Sequence, residues 1–540
     1  MKKRRIAATI LAACLLTAAF GSCGNEGDSS TSSKATSSAD SGGTESSQSG
    51  EAFTPTYPIT DEDITVTGVV VGKDMTHERS FWKQLGEFTG INYEFINVEG
   101  DAFNVYLAAG EWPDFFHIGI GSTQAYEYGV LGQKLVNYND WLDYMPNLQA
   151  VFEEYPLAEK SSRSQDGGIY VLPRIEESST LSMCRLHYRT DFLEENGLEE
   201  PTTIDEFYDV LTKCKEINNG AAPLVTGIDE GQYTGSLLYP AFGDYARPNW
   251  NADDSGKVFF GRVEQQYRDY LTYVHKLYDE GLIHQEYATM DSNAFLALVQ
   301  EGTGIFFAEC AMSVTAEMFP DGQLHIGTLS PFVMNKGDTP VCAETQPVMP
   351  FSNFAINADS PYIEELVRTF DIAFATEEVA PGSNMYGITF FYGDCIKMDP
   401  ETKTYTLQDP SGAETNTTFI MENVVYDWCG LQQMGEYITS TPGNSQERQK
   451  GYASKVLPYA TGTLFPDRYF TYTEEEQAVI DQYKVEFDSY VNEMKNKFIM
   501  GVEDISNDAT WDNYVSTLET LGMSELQAVY QSAYDRLNAE

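Results

Sequence analysis

From about residue 60 onward, short apolar runs alternate with amphipathic ones. Ile64-Thr65-Val66-Thr67-Gly68-Val69-Val70-Val71 is short and β-branched, Phe81 to Phe88 carries apolar residues at helical spacing, and Ile91 to Val98 (INYEFINV) alternates. Strand, helix and strand at this pitch predict a βαβ unit, and hence a parallel sheet covered by helices. DAFNVYLAAG, from Asp101 to Gly110, predicts a helix closed by glycine. EWPDFFHIGIG after it predicts a turn, a buried strand and a flexible exit.

The first fifty residues follow another pattern. A basic head, Lys2 to Arg5, precedes an apolar run from Ile6 to Phe20 interrupted only by Thr9 and Thr17. Roughly 15 apolar residues are too few to cross a bilayer core of about 30 Å as a helix, so an export signal is expected. Gly21-Ser22-Cys23 resembles the bacterial lipoprotein cleavage box, with Phe20 where that family usually has leucine. The resemblance implies a signal peptide over 1–22 and a lipidated Cys23 as the first mature residue, held by two or more acyl chains at the outer face of the cell membrane. Residues 23–55, dominated by Ser, Thr, Gly, Asp and Glu, bury too little apolar surface to repay their ordering entropy and read as a flexible tether.

Charge removes several partners. With 33 Lys and Arg against 82 Asp and Glu, the chain carries −49, so phosphate backbones and anionic headgroups repel it, and nucleic acid and direct membrane-surface binding are not expected. The body is too long for one core, since single cores stop growing near about 300 residues, so at least two lobes are expected.

Local chemistry is sparse. The six body cysteines, Cys184, Cys214, Cys310, Cys342, Cys395 and Cys429, show no CxxC spacing, which leaves free thiols and disulfides both open. His77, His117, His187, His275, His284 and His325 include no HExxH pair, and neither a GxSxG elbow nor a P-loop occurs. A glycoside hydrolase needs two carboxylates at a set separation, and among 82 acids no pair stands out. Gly119 and Gly121 form a GxG, but Gln124 takes the third glycine's place in a dinucleotide loop. The expectation is therefore no enzyme, no cofactor and no metal.

Several strings resemble, in order, extracellular solute-binding proteins of carbohydrate ABC importers. They are LAAGEWPDFFHIG (Leu107 to Gly119), LVNYNDWLDYMPNL (Leu135 to Leu148), DGGIYVLPR (Asp166 to Arg174), LHYRTDFLEENGLEEPTTIDEFYDVL (Leu186 to Leu211) and YVHKLYDEGLIHQEY (Tyr273 to Tyr287). The stretch from Phe498 to Leu537 is similar to the end of large lipoprotein members from Gram-positive bacteria. Two departures bear on calcium. INNGAAPLVTG, Ile217 to Gly227, lacks the carboxylates of an acidic loop that large members often carry there. NADDSGKVFFGR from Asn251 has Arg262 where an EF-hand needs its bidentate glutamate, and is read as a hairpin turn.

The resemblance implies an α/β fold of the two-lobed, periplasmic-binding-protein type II kind, with hinge-linked lobes and an added carboxy-terminal helical region. Lobe I would take 60–178 plus 324–378, and lobe II 179–323 plus 379–540. The implied function is to capture a solute in the interlobe cleft as a monomer and deliver it to permease subunits. An oligosaccharide is favoured by the family and the chain length, with a peptide or other solute as the alternative. Sugar recognition needs aromatic faces for C–H surfaces and planar polar groups for vicinal hydroxyls, on loops leaving strand carboxyl ends. Gln124, Tyr126 and Tyr128, on the exit after PDFFHIG, meet that description. Tyr233 matches the place where maltodextrin-binding relatives stack a tyrosine on the sugar, and Arg185 lies where a polar cleft residue is implied. Trp250, Tyr386, Phe391 and Asp394 complete the candidates. Asp114, in the family-like Trp112-Pro113-Asp114, is read as fixing a turn.

Overall fold

The computed structural model describes residues 53–71, 80–176, 185–225, 237–243, 248–309, 314–344, 348–375, 396–399, 401–408, 430–432, 438–440 and 442–539. The expected βαβ unit opens it. Strand β1 (Ile64–Val71) runs parallel to β2 (Ile91–Val98), with Ile64 opposite Ile91 and Val71 opposite Val98. Helix α1 (Ser80–Thr89) precedes β2, and α2 (Phe103–Ala109) ends on Gly110 in the left-handed conformation that a Cβ disfavours. The short strand β3 (Phe115–Phe116) lies parallel to β1 on its other side.

The alternation of β1 divides its side chains between two apolar layers. Val66 and Val70 pack with Trp82, Phe115, Tyr138 and Leu148 in the first core, whereas Val69 joins Phe103, Leu107 and Phe116 on the opposite face. Helix α3 (Pro146–Glu154) belongs to the first core, as its buried Leu148 and Val151 show.

From β4 (Leu172–Glu176) the chain passes to a second core. There β5 (Arg185–Arg189) is the middle strand, flanked by β6 (Phe306–Glu309) and β7 (Ile326–Thr328), both antiparallel to it. Helices α4 (Ile204–Ile217) and α5 (Gln265–Asp279) cover this sheet through Phe207, Leu211, Tyr270 and Val274. Thr203 opens α4 with a capping box, its hydroxyl accepting the Glu206 amide while Glu206 accepts the Thr203 amide.

The chain then returns. Strand β8 (Val348–Asn353) pairs antiparallel with β4, and β9 (Ala355–Ile356) completes the first sheet beyond β3. Helix α6 (Ile363–Asp371) lays Leu366, Val367 and Phe370 into the first core. It ends on Asp371, whose carboxylate accepts the free amides at the start of α3: Leu148 N at 2.9 Å, Asn147 N at 3.3 Å and Asn147 Nδ2 at 2.7 Å. Three carboxy-terminal helices, α7 (Glu474–Ile499), α8 (Asp508–Thr520) and α9 (Met523–Asn538), add Phe487, Tyr514 and Tyr530 to the second core.

Two stretches sit on the other core from the one expected. Residues 326–332, assigned to lobe I, contribute β7, Leu329 and Phe332 to the second core, because β7 completes the ladder on β5. Tyr405 and Leu407, assigned to lobe II, pack in the first core. Among the described residues no helix is long and apolar enough to cross a membrane.

Candidate ligand-binding cleft

The chain passes from the first core to the second between β4 and β5, returns between β7 and β8, and crosses again between Leu407 and α7, while the parallel strands β1, β2 and β3 turn their carboxyl ends to a common edge. In open α/β sheets that edge is where ligands bind. β1 and β2 end there on Val71 and Val98, and β3 passes into His117 and a glycine-rich exit. Gly119 has φ 114°, and a Cβ on it would stand 2.6 Å from Val71 and 3.0 Å from Phe103, so only glycine lets the exit cross the strand ends so closely.

The exit loop is built to hold a short helical segment. Ser122–Gln124 forms one turn, and Ala125–Leu131 continues it as a π-helix, a widened turn that recurs at functional sites. Gln124 Oε1 accepts the Gly121 amide at 3.1 Å, which anchors the start of the turn; its carboxamide nitrogen has no partner among the described residues. Tyr126 is half-buried, and its hydroxyl has no hydrogen-bond partner among the described residues. Tyr128 differs. Its ring meets the edge of Trp112 at 5.2 Å and belongs to the apolar layer, where burial and the adjacent Glu127 carboxylate push its hydroxyl pKa up.

Trp250 requires a correction. Its side chain is 7% exposed and lies inside the second core, with ring centroids 4.9 Å from both Phe260 and Tyr530 and 6.3 Å from Phe487. It is the first residue of a hairpin, Trp250–Ala252 with Val258–Phe260, whose turn is tied by Asp253 Oδ1 accepting Ser255 N, Ser255 Oγ and Lys257 N. That turn is the one read from NADDSGKVFFGR. Arg262 is buried beside it, donating to Asn249 Oδ1 at 3.0 Å. Arg185 is the first residue of β5, its backbone opposite Glu309. Tyr233, Tyr386, Phe391, Asp394 and Cys23 lie outside the described residues.

The WPD motif is structural. Trp112 Nε1 donates to the Leu107 carbonyl at 3.0 Å, closing the turn after α2, and Asp114 bridges to Thr67 and Ser360. A cavity of about 600 Å³ opens beside these residues, walled by Tyr106, Glu111, Lys134 and Asp359. It opens at the amino-terminal end of β3, beside Thr67 of β1 and Ile96 of β2, and shares no lining residue with the exit loop that carries Gln124, Tyr126 and Tyr128. Phe351, on β8, is an aromatic that sequence patterning missed; it packs against the apolar layer that includes Ile120, Tyr170 and Ala355 and stays part-exposed. PFSNF carries no glycine or asparagine at that position to announce its unusual backbone.

No protein-family model matches the chain. It is 24% identical over 526 residues to the fructooligosaccharide ABC transporter substrate-binding protein FusA of Streptococcus pneumoniae, a match covering 90% of this chain and 92% of that protein. It is 31% identical over 230 residues to lipoprotein LipO of Bacillus subtilis, covering 39% and 42% respectively. Among solved structures, the HMO-binding, ABC-transporter-associated solute-binding protein of Bifidobacterium longum infantis superposes with a TM-score of 0.67 at 19% identity, over 89% of this chain and all of that one. The fold is the two-lobed one of solute-binding proteins, and relatives of this chain are ABC-transporter substrate-binding proteins.

Proposed function

We propose that this protein is the substrate-binding component of an ABC importer for an oligosaccharide, anchored by lipid on Cys23 at the outer face of the membrane. The observation that carries the reading is the likeness to FusA, which covers 90% of this chain and 92% of that protein. The proposal takes from FusA only the class of ligand, an oligosaccharide. The lipoprotein LipO supports the anchor, as does the cleavage-box pattern around Cys23.

The mechanism follows from the architecture. Ligand enters between two lobes joined by crossing strands, and closure about those strands removes it from water, so that polar groups on both sides exchange solvent for sugar hydroxyls. On the first lobe, Tyr126 supplies a ring and a hydroxyl, and Gln124 supplies carboxamide donors from a turn already fixed by its own hydrogen bond. Catalysis is not required: the protein holds the glycan and presents it to the permease.

Incubation with stoichiometric protein, followed by glycan mass spectrometry, should return the oligosaccharide intact. A shortened product contradicts the binding-only assignment. Mass spectrometry of membrane-extracted protein should find acyl chains on Cys23, and a mature chain beginning elsewhere contradicts the anchor.

A further inference from the structure

The strand that returns the chain to the first core and the residue that follows it place two phenylalanines in the left-handed backbone region, Phe351 on β8 at φ 48° and Phe354 just after it at φ 55°. Bulky residues seldom adopt this region, because Cβ crowds the following carbonyl. At Phe354 the surroundings account for it. The side chain is 3% exposed, its ring stacks on Phe370 at 4.1 Å and 10°, its amide donates to the His117 carbonyl, and its own carbonyl accepts the Tyr138 hydroxyl at 2.7 Å.

Phe351 has no comparable burial. It falls between Met349 and Asn353, where the register of β8 against β4 shifts, and its ring is only partly covered. It packs against the apolar layer that includes Ile120, Tyr170, Val171 and Ala355, and because β9 runs antiparallel to β3, with the Phe354 amide on the His117 carbonyl, the residues before Phe354 lie beyond the carboxyl end of β3. A strained backbone therefore holds a large, part-exposed aromatic ring where the returning strand meets the carboxyl end of β3. Strain of this kind persists where the surrounding structure enforces it, and it clusters at ligand clamps. A flat apolar face at that place suits the C–H face of a sugar ring.

We propose that Phe351 is a ligand-stacking residue of the cleft, the aromatic floor for one sugar ring. The inference rests on the oligosaccharide reading above. It is tested in the mature chain by titration calorimetry and thermal unfolding of wild type, Phe351→Gly and Phe351→Trp, against a panel of fructo-, malto-, xylo- and manno-oligosaccharides. Glycine adopts the left-handed backbone without strain, so Phe351→Gly should keep or raise Tm while losing affinity by about tenfold or more, and Phe351→Trp should retain binding. A glycine variant that binds as wild type does overturns the assignment. So does one that loses Tm together with affinity, since that places the ring in packing alone. A wild-type chain that binds no member of the panel overturns the oligosaccharide reading itself, and this inference with it.

Discussion

Asp114 and Thr67 are bonded reciprocally: the Asp114 amide donates to the Thr67 carbonyl at 3.0 Å, and the Thr67 amide donates to Asp114 Oδ2 at 2.8 Å. The carboxylate thus supplies a rung of the β1–β3 ladder one residue before β3 begins. Its other oxygen accepts the Ser360 hydroxyl at 2.7 Å. An acid in a sugar-binding-like motif is here committed to a turn.

Asp114→Ala should therefore cost stability and leave oligosaccharide affinity unchanged. It strands a part-buried amide and hydroxyl, a loss of about 1–3 kcal/mol that denaturant unfolding would register. Asp114→Asn should recover part of it, because the carboxamide oxygen still accepts one of the two bonds.

Trp250 and Tyr126 should behave in opposite ways. Trp250→Ala empties a site packed by Phe260, Phe487 and Tyr530, a change of about 3–5 kcal/mol in comparable cores, with the affinity of the folded fraction unaltered. Tyr126→Ala should shift the unfolding midpoint little and weaken oligosaccharide binding by about tenfold. Unfolding and calorimetry on the two variants separate the roles.

Acid groups should pull stability in opposite directions with pH. Burial pushes Asp371 up to about 7, against the amides of Leu148 and Asn147 and the Asn147 carboxamide, which favour its charged form. Between the ordinary value of 3.8 and about 7, the folded chain then binds the proton that the unfolded chain has lost. Its contribution is greatest at low pH and is lost as pH rises through about 7. Asp371→Asn should thus gain on wild type as pH is raised from 4 to 8 in urea unfolding. Glu206 runs the other way. The Thr202 hydroxyl and amide, Lys336 and the Thr203 amide hold it near 2, so its stabilising effect is present above 4.5 and lost as pH falls toward 2.

Local pattern foretold local structure. Ile64–Val71 and Ile91–Val98 are strands at the bounds read from β-branching and alternation, and the helix between them extends only slightly past Phe81 to Phe88, because these signals come from neighbouring residues. What depended on distant partners was not legible. Trp250 looks like a loop aromatic until Tyr530 and Phe487 arrive from the carboxy-terminal helices to bury it, and Tyr128 is claimed by Trp112. Strand β7 went to the second core because its partner is β5, and nothing within its own residues names that partner. The left-handed backbone at Phe351 had no sequence signal at all, since the residues that ordinarily mark such a conformation are absent there.

The central claim is that the cleft takes an oligosaccharide, and the most direct measurement is a thermal-shift and titration screen of the chain from Gly24 onward against matched panels of oligosaccharides and peptides. The account predicts one oligosaccharide class bound at a single site, with Tm rising with ligand concentration by mass action. A peptide that binds while no oligosaccharide does would contradict it.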